Sequence, residues 1–147
     1  SGQLGNGLFG MQNFKKCNRE NMISSAYLKP KALIDYGKTI AEFASSAIDI
    51  SDGFLQDLGH LSKASNVGFE LSSSSIPYNS NLSLNQCLNC GDDYQLIFTV
   101  PKKNIQSLAV KMKKMNFEMY QVGTSIKTKK IYLDGKITSL NKGYKHF

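Results

Sequence analysis

Asp49, Ser51 and Asp52 stand where an apolar run, Ala47-Ile48-Asp49-Ile50, gives way to a helical pattern, with Gly53 directly after them. Two carboxylates three positions apart with a hydroxyl between them suit a hard divalent cation such as Mg²⁺, which takes one or two carboxylates together with substrate phosphates. If Ser51 or Asp52 caps the helix, the helix start also offers backbone N–H groups and a partial positive charge to phosphate. The same residue types cluster at strand-to-helix turns for capping alone, so spacing leaves both readings open. A second acidic group, Gly91-Asp92-Asp93-Tyr94, opens a β-rich run over 95–100, a place where adjacent carboxylates are also ordinary solvated turn residues.

Other motifs carry less. Gly5 to Gly10 matches Gly-x-Gly-x-x-Gly, but almost nothing precedes it and helical patterning follows, so it lacks the strand that a dinucleotide fingerprint requires. Its glycines would let backbone approach a ligand or loosen a boundary. Cys87-Leu88-Asn89-Cys90 is a lone Cys-x-x-Cys without a second pair, and an odd total of three cysteines argues against a disulfide framework. His60 has no second histidine nearby and reads as a surface or packing residue. Asp57, in the second turn of its helix, either reaches a ligand or compensates the helix dipole.

The elements that must position these groups follow from periodicity. Leu8, Met11 and Phe14 make a short helical face, with a polar loop or frayed helix from Lys15 to Ser25. A helix introduced by Pro30 carries Leu33, Tyr36, Ile40 and Phe43 toward the core. Residues 47–50 read as a buried strand, and Phe54, Leu58 and Leu61 share one face of the next helix, which ends at Asn66. Val67 to Leu71 reads as a strand, followed by a loop that continues to about Cys90. Ile105, Leu108, Met112 and Met115 define a further helix, Glu118 to Val122 a strand, and Asp134-Gly135 the type I′ turn of a hairpin. Strands and helices mix without a repeating βαβ unit, so the expected fold is α+β, a mixed β-sheet packed with helices.

The run from Asp49 to Ser65, Asp-Ile-Ser-Asp-Gly-Phe-Leu-Gln-Asp-Leu-Gly-His-Leu-Ser-Lys-Ala-Ser, the stretch Gly91-Asp92-Asp93-Tyr94-Gln95-Leu96-Ile97-Phe98-Thr99 and the ending Gly143-Tyr144-Lys145-His146-Phe147 resemble the C-terminal half of the bacterial thiamine-monophosphate kinases, nearly end to end. The first motif recurs in a superfamily of ATP-using enzymes that includes aminoimidazole ribonucleotide synthetase; the other two are more particular to the kinases. The resemblance implies the C-terminal-domain fold of that superfamily and phosphorylation of thiamine monophosphate by ATP to thiamine diphosphate. It implies Mg²⁺ on Asp49 and Asp52, an ATP phosphate on Ser51, and thiamine monophosphate facing Asp92 and Tyr144. It further implies a single C-terminal domain over 1–147, an N-terminal domain absent here that carries further metal-binding aspartates, a homodimer at full length, and an isolated fragment without activity.

The chain departs from that pattern at three places. Leu4-Gly5-Asn6-Gly7 stands where those kinases usually read Leu-Gly-Asp-Ser, Asp92 stands where they usually have glutamate, and the stretch over 79–90 is shorter than theirs. Another ATP-using enzyme of the superfamily, or a basic binding module without catalysis, are the alternatives.

Composition limits the partners. A chain of 147 residues at 41% hydrophobic can bury a full core, so one domain is expected. The net charge of +7 comes from scattered lysines, with one arginine, Arg19, and no basic stretch interleaved with exposed aromatics, so no nucleic-acid partner is expected. No membrane span and no secretory leader are read, and the expected location is the cytoplasm.

Overall fold

The computed structural model describes residues 1–17 and 25–138; Tyr144 and the aromatic ending 143–147 lie outside the described residues. The elements are α1 (Asn6–Cys17), α2 (Ser25–Leu28), α3 (Ile34–Ala41), β1 (Ser46–Asp49), α4 (Phe54–Ser65), β2 (Gly68–Leu71), α5 (Leu84–Asn89), β3 (Leu96–Thr99), α6 (Ile105–Lys114), β4 (Gly123–Ile126), β5 (Ile131–Leu133) and β6 (Lys136–Ile137), with single 3₁₀ turns at Ser73–Ser75 and Lys102–Asn104.

Two sheets form. β1 and β3 make an antiparallel ribbon in which Ser46 faces Thr99 and Asp49 faces Leu96. The second sheet runs β4-β2-β5-β6, with β2 antiparallel to β4 and parallel to β5. The ribbon divides the core, because successive side chains of a strand point to opposite faces. Ile48 and Ile97 join a cluster with Phe54, Leu58, Phe69 and Leu71, while Leu96 and Phe98 join Tyr36, Ile40, Leu108 and Met112 between α3 and α6. In the second cluster the Tyr36 ring lies 5.2 Å from Phe117, and its hydroxyl donates to the Glu118 carbonyl at 2.9 Å. Burying Leu108 and Met112, each 1% exposed, contributes about 2 kcal/mol apiece.

The α+β class is as expected, with the mixed sheet being the four-stranded one. The helical face of Phe54, Leu58 and Leu61 is buried, and Asn66 ends α4 in the left-handed conformation at φ 56°. Asp134 and Gly135 both have positive φ, as a type I′ hairpin turn requires.

Three expectations are corrected. Residues 118–122 form no strand; pairing with β2 begins at Gly123, where a Cβ would stand 2.2 Å from the Glu70 carbonyl oxygen, so the close approach needs glycine. The loop expected to continue to Cys90 contains α5, started by a capping box: the Ser83 hydroxyl accepts from the Gln86 amide, and the Gln86 side chain accepts from the Ser83 amide. Pro30 precedes α3 by four residues instead of occupying its first position, yet Leu33, Tyr36, Ile40 and Phe43 all meet the core as their spacing requires.

Candidate functional site

The acidic turn sits where β1 leaves the ribbon and α4 begins. Asp49 is exposed at the end of β1; Ser51 and Asp52 are half-buried. Neither Ser51 nor Asp52 caps α4. The N-cap is Gly53, at φ 125° and ψ 144°, a conformation for glycine only, and no side chain caps it.

Three backbone amides leading into the helix are already taken by a side chain. Asp57, which is 2% exposed, turns back from the first turn of α4, and its Oδ2 accepts the backbone N–H groups of Ser51 at 3.0 Å, Asp52 at 3.0 Å and Gly53 at 3.2 Å. The carboxylate takes the position an anion would occupy at these three amides, so they are not available to a phosphate. Burial pushes the Asp57 carboxyl above the usual range, against the pull of its three amide donors.

The second acidic loop is bound directly to the first. The amide of Asp92 donates to the Ser51 carbonyl at 3.0 Å and that of Tyr94 to the Ile50 carbonyl at 2.8 Å, extending the β1–β3 pairing past its end. Gly91 permits this contact, since a Cβ there would lie 2.0 Å from the Ser51 oxygen. Asp92, at φ 64°, and Tyr94, at φ 50°, both occupy the left-handed region, which non-glycine residues enter only when their surroundings force it.

The force comes from between them. Asp93, 8% exposed, accepts the amide of Gly5 at 2.7 Å on Oδ2 and that of Gly7 at 3.1 Å on Oδ1. Burial raises the Asp93 carboxyl above its ordinary range. The glycine-rich opening therefore serves as the seat of a buried carboxylate at the start of α1. Gly7 packs so tightly that a Cβ would meet the Asp92 carbonyl oxygen at 2.2 Å. Asn6 accepts from the Asn79 side chain at 3.0 Å.

Asp49, Asp52 and Asp92 thus share one region, and burial first, then their three charges, raises the Tyr94 phenol above its ordinary value. The donor atoms of Asp49 and Asp52 are carboxylate oxygens, the chemistry of a hard divalent cation, so the residues present fit Mg²⁺. His60 is the group that sequence reading set aside: it is exposed, yet its ring nitrogen and one carboxylate oxygen each of Asp52 and Asp57 lie within 4.8 Å of one another. Tyr94 and Asp93 were also not singled out. A tyrosine after two aspartates carries no periodic signal, and the partners of Asp93 are 88 and 86 residues away. Cys87 and Cys90 are free thiols, with Cys87 buried against Gly5.

Residues 1–136 match the model of the AIR synthase related protein C-terminal domain. The chain belongs to that family. Among curated relatives, this AIR synthase related domain is 36% identical to a thiamine-monophosphate kinase of Buchnera aphidicola (Schizaphis graminum) over 93% of the chain and 45% of the relative. It is 35% identical to the thiamine-monophosphate kinase of Escherichia coli K12 over 82% of the chain and 41% of the relative. Among solved structures, AaThiL complexed with AMPPCP and TMP matches with a TM-score of 0.83 and 29% identity, over 100% of this chain and 50% of that one. The chain spans about half the length of the relatives it matches. No helix among the described residues is long and apolar enough to cross a membrane.

Proposed function

We propose that this chain is the C-terminal half of a kinase that moves the γ-phosphoryl group of ATP onto thiamine monophosphate, giving thiamine diphosphate. The observation that supports the reading is the hydrogen-bonded joint between Ser51 and Asp92, 3.0 Å long, which ties the loop of the proposed metal and nucleotide residues to that of the proposed acceptor residue. Phosphoryl transfer asks a protein mainly for positioning and charge stabilisation, and a rigid joint between two acidic loops supplies the first.

Asp49 and Asp52 would hold Mg²⁺, which when bound neutralises phosphate charge that these carboxylates would otherwise repel. The Ser51 hydroxyl meets an ATP phosphate. Asp57 keeps the loop in shape by holding its three amides. Asp92 faces the acceptor and, one methylene shorter than glutamate, meets it directly or through a water. Tyr144, outside the described residues, would join Asp92. The other half of the protein supplies further metal-binding aspartates and the contact that makes a cytoplasmic homodimer, so this half alone does not turn over.

The test is the whole protein, supplied with ATP, Mg²⁺ and either thiamine monophosphate or formylglycinamidine ribonucleotide. Thiamine diphosphate formation is the expected result. Turnover of the ribonucleotide alone would assign the chain to a different ATP-using enzyme of the superfamily.

A further inference from the structure

Tyr94 is an aromatic residue in a conformation that aromatic residues avoid, held there by every neighbour. Its amide is bonded to the Ile50 carbonyl at 2.8 Å, the preceding Asp93 is locked onto Gly5 and Gly7, and Asp92 before that is bonded through its own amide to Ser51 at 3.0 Å. A left-handed tyrosine costs about 1 to 2 kcal/mol relative to an extended one, and strain of this kind persists where the surroundings over-determine it. The residue remains 38% exposed, so the strain is not offset by full burial.

What the conformation does achieve is a short-range contact. The Tyr94 hydroxyl meets Asp92 Oδ1 at 3.2 Å, two residues back along the chain. An ionised carboxylate has no proton to give, so the phenol is the donor. An exposed aspartate otherwise samples several rotamers, and a fixed donor selects one.

We propose that Tyr94 is a positioning residue for the phosphate acceptor: its hydroxyl holds the Asp92 carboxylate in the orientation that meets thiamine monophosphate. This rests on the kinase reading above and adds a residue to it. The αL pair at Asp92 and Tyr94 is then the backbone device that folds the phenol back onto the carboxylate two positions before it, where an extended strand would keep the two on one face but about 6.6 Å apart along the chain.

The experiment uses the whole protein with ATP and Mg²⁺, varying thiamine monophosphate, for the wild type, Tyr94→Phe, Asp92→Asn and the double variant, with thermal unfolding of each. Tyr94→Phe keeps the ring and removes only the donor. It should raise the acceptor KM about fivefold, the factor that corresponds to the roughly 1 kcal/mol of a typical exposed hydrogen bond, with a smaller change in kcat and in the KM for ATP and an unaltered melting temperature. The double variant should match Asp92→Asn alone, because the hydroxyl acts through that carboxylate. An unchanged acceptor KM in Tyr94→Phe, or a double variant whose losses multiply, overturns the inference while leaving the kinase reading intact. A wild-type protein that does not phosphorylate thiamine monophosphate overturns the kinase reading, and the inference with it.

Discussion

Asp57 Oδ2 accepts the backbone N–H of Asp52 at 3.0 Å, so the buried carboxylate of α4 shapes the loop that presents the more exposed one. The two aspartates, five residues apart, divide the work: one organises backbone, and the other, half-buried, accepts from the Gln56 side chain at 3.3 Å. Asp57→Ala strips three amides of their acceptor and is expected to destabilise the chain by about 3 kcal/mol. Urea unfolding checks this, and a loss below about 1 kcal/mol would mean the amides find water instead.

Asp49 and Asp52 carry no comparable burden. Asp49→Asn and Asp52→Asn in the whole protein are expected to abolish turnover with melting temperatures near that of the wild type. Near-normal phosphorylation by either variant would remove that residue from the metal shell. The 147-residue chain alone should form no thiamine diphosphate in the presence of Mg²⁺.

Gly91→Ala tests the joint between the loops. Its Cβ would stand 2.0 Å from the Ser51 oxygen, so the two backbones must separate and the Asp92-to-Ser51 bond must break. A loss of about 1 to 3 kcal/mol is expected, as for other overpacked sites, together with a fall in activity. Retention of both stability and turnover would show that the loops work without being joined.

Burial raises the carboxyls of Asp57 and Asp93, and this fixes the sign of a pH effect. The folded chain then holds protons that the unfolded chain releases from about pH 4 upward. The stability these groups contribute is full below the unfolded pKa and is lost as pH rises through the folded one. Asp93→Asn cannot titrate, so its unfolding free energy should decline less between about pH 4 and pH 7 than that of the wild type. Urea denaturation across that range decides it, and equal slopes would mean that Asp93 titrates as an ordinary aspartate.

The sequence alone determined whatever depends on neighbours along the chain. The acidic turn at 49–53, the buried face of Phe54, Leu58 and Leu61, the helix end at Asn66 and the turn at Asp134-Gly135 were all legible, because spacing and turn chemistry are local properties. The capping box at Ser83 and Gln86 was equally local and went unread under a polar run.

Only the tertiary structure decided what those residues face. That Asp57 fills the amide pocket, that Gly5 and Gly7 seat Asp93, that His60 comes near Asp52, and that pairing with β2 starts at Gly123 all depend on which backbone groups arrive opposite one another. A buried carboxylate must find donors wherever the fold supplies them. Its partners are therefore set by packing, which no run of residues spells out.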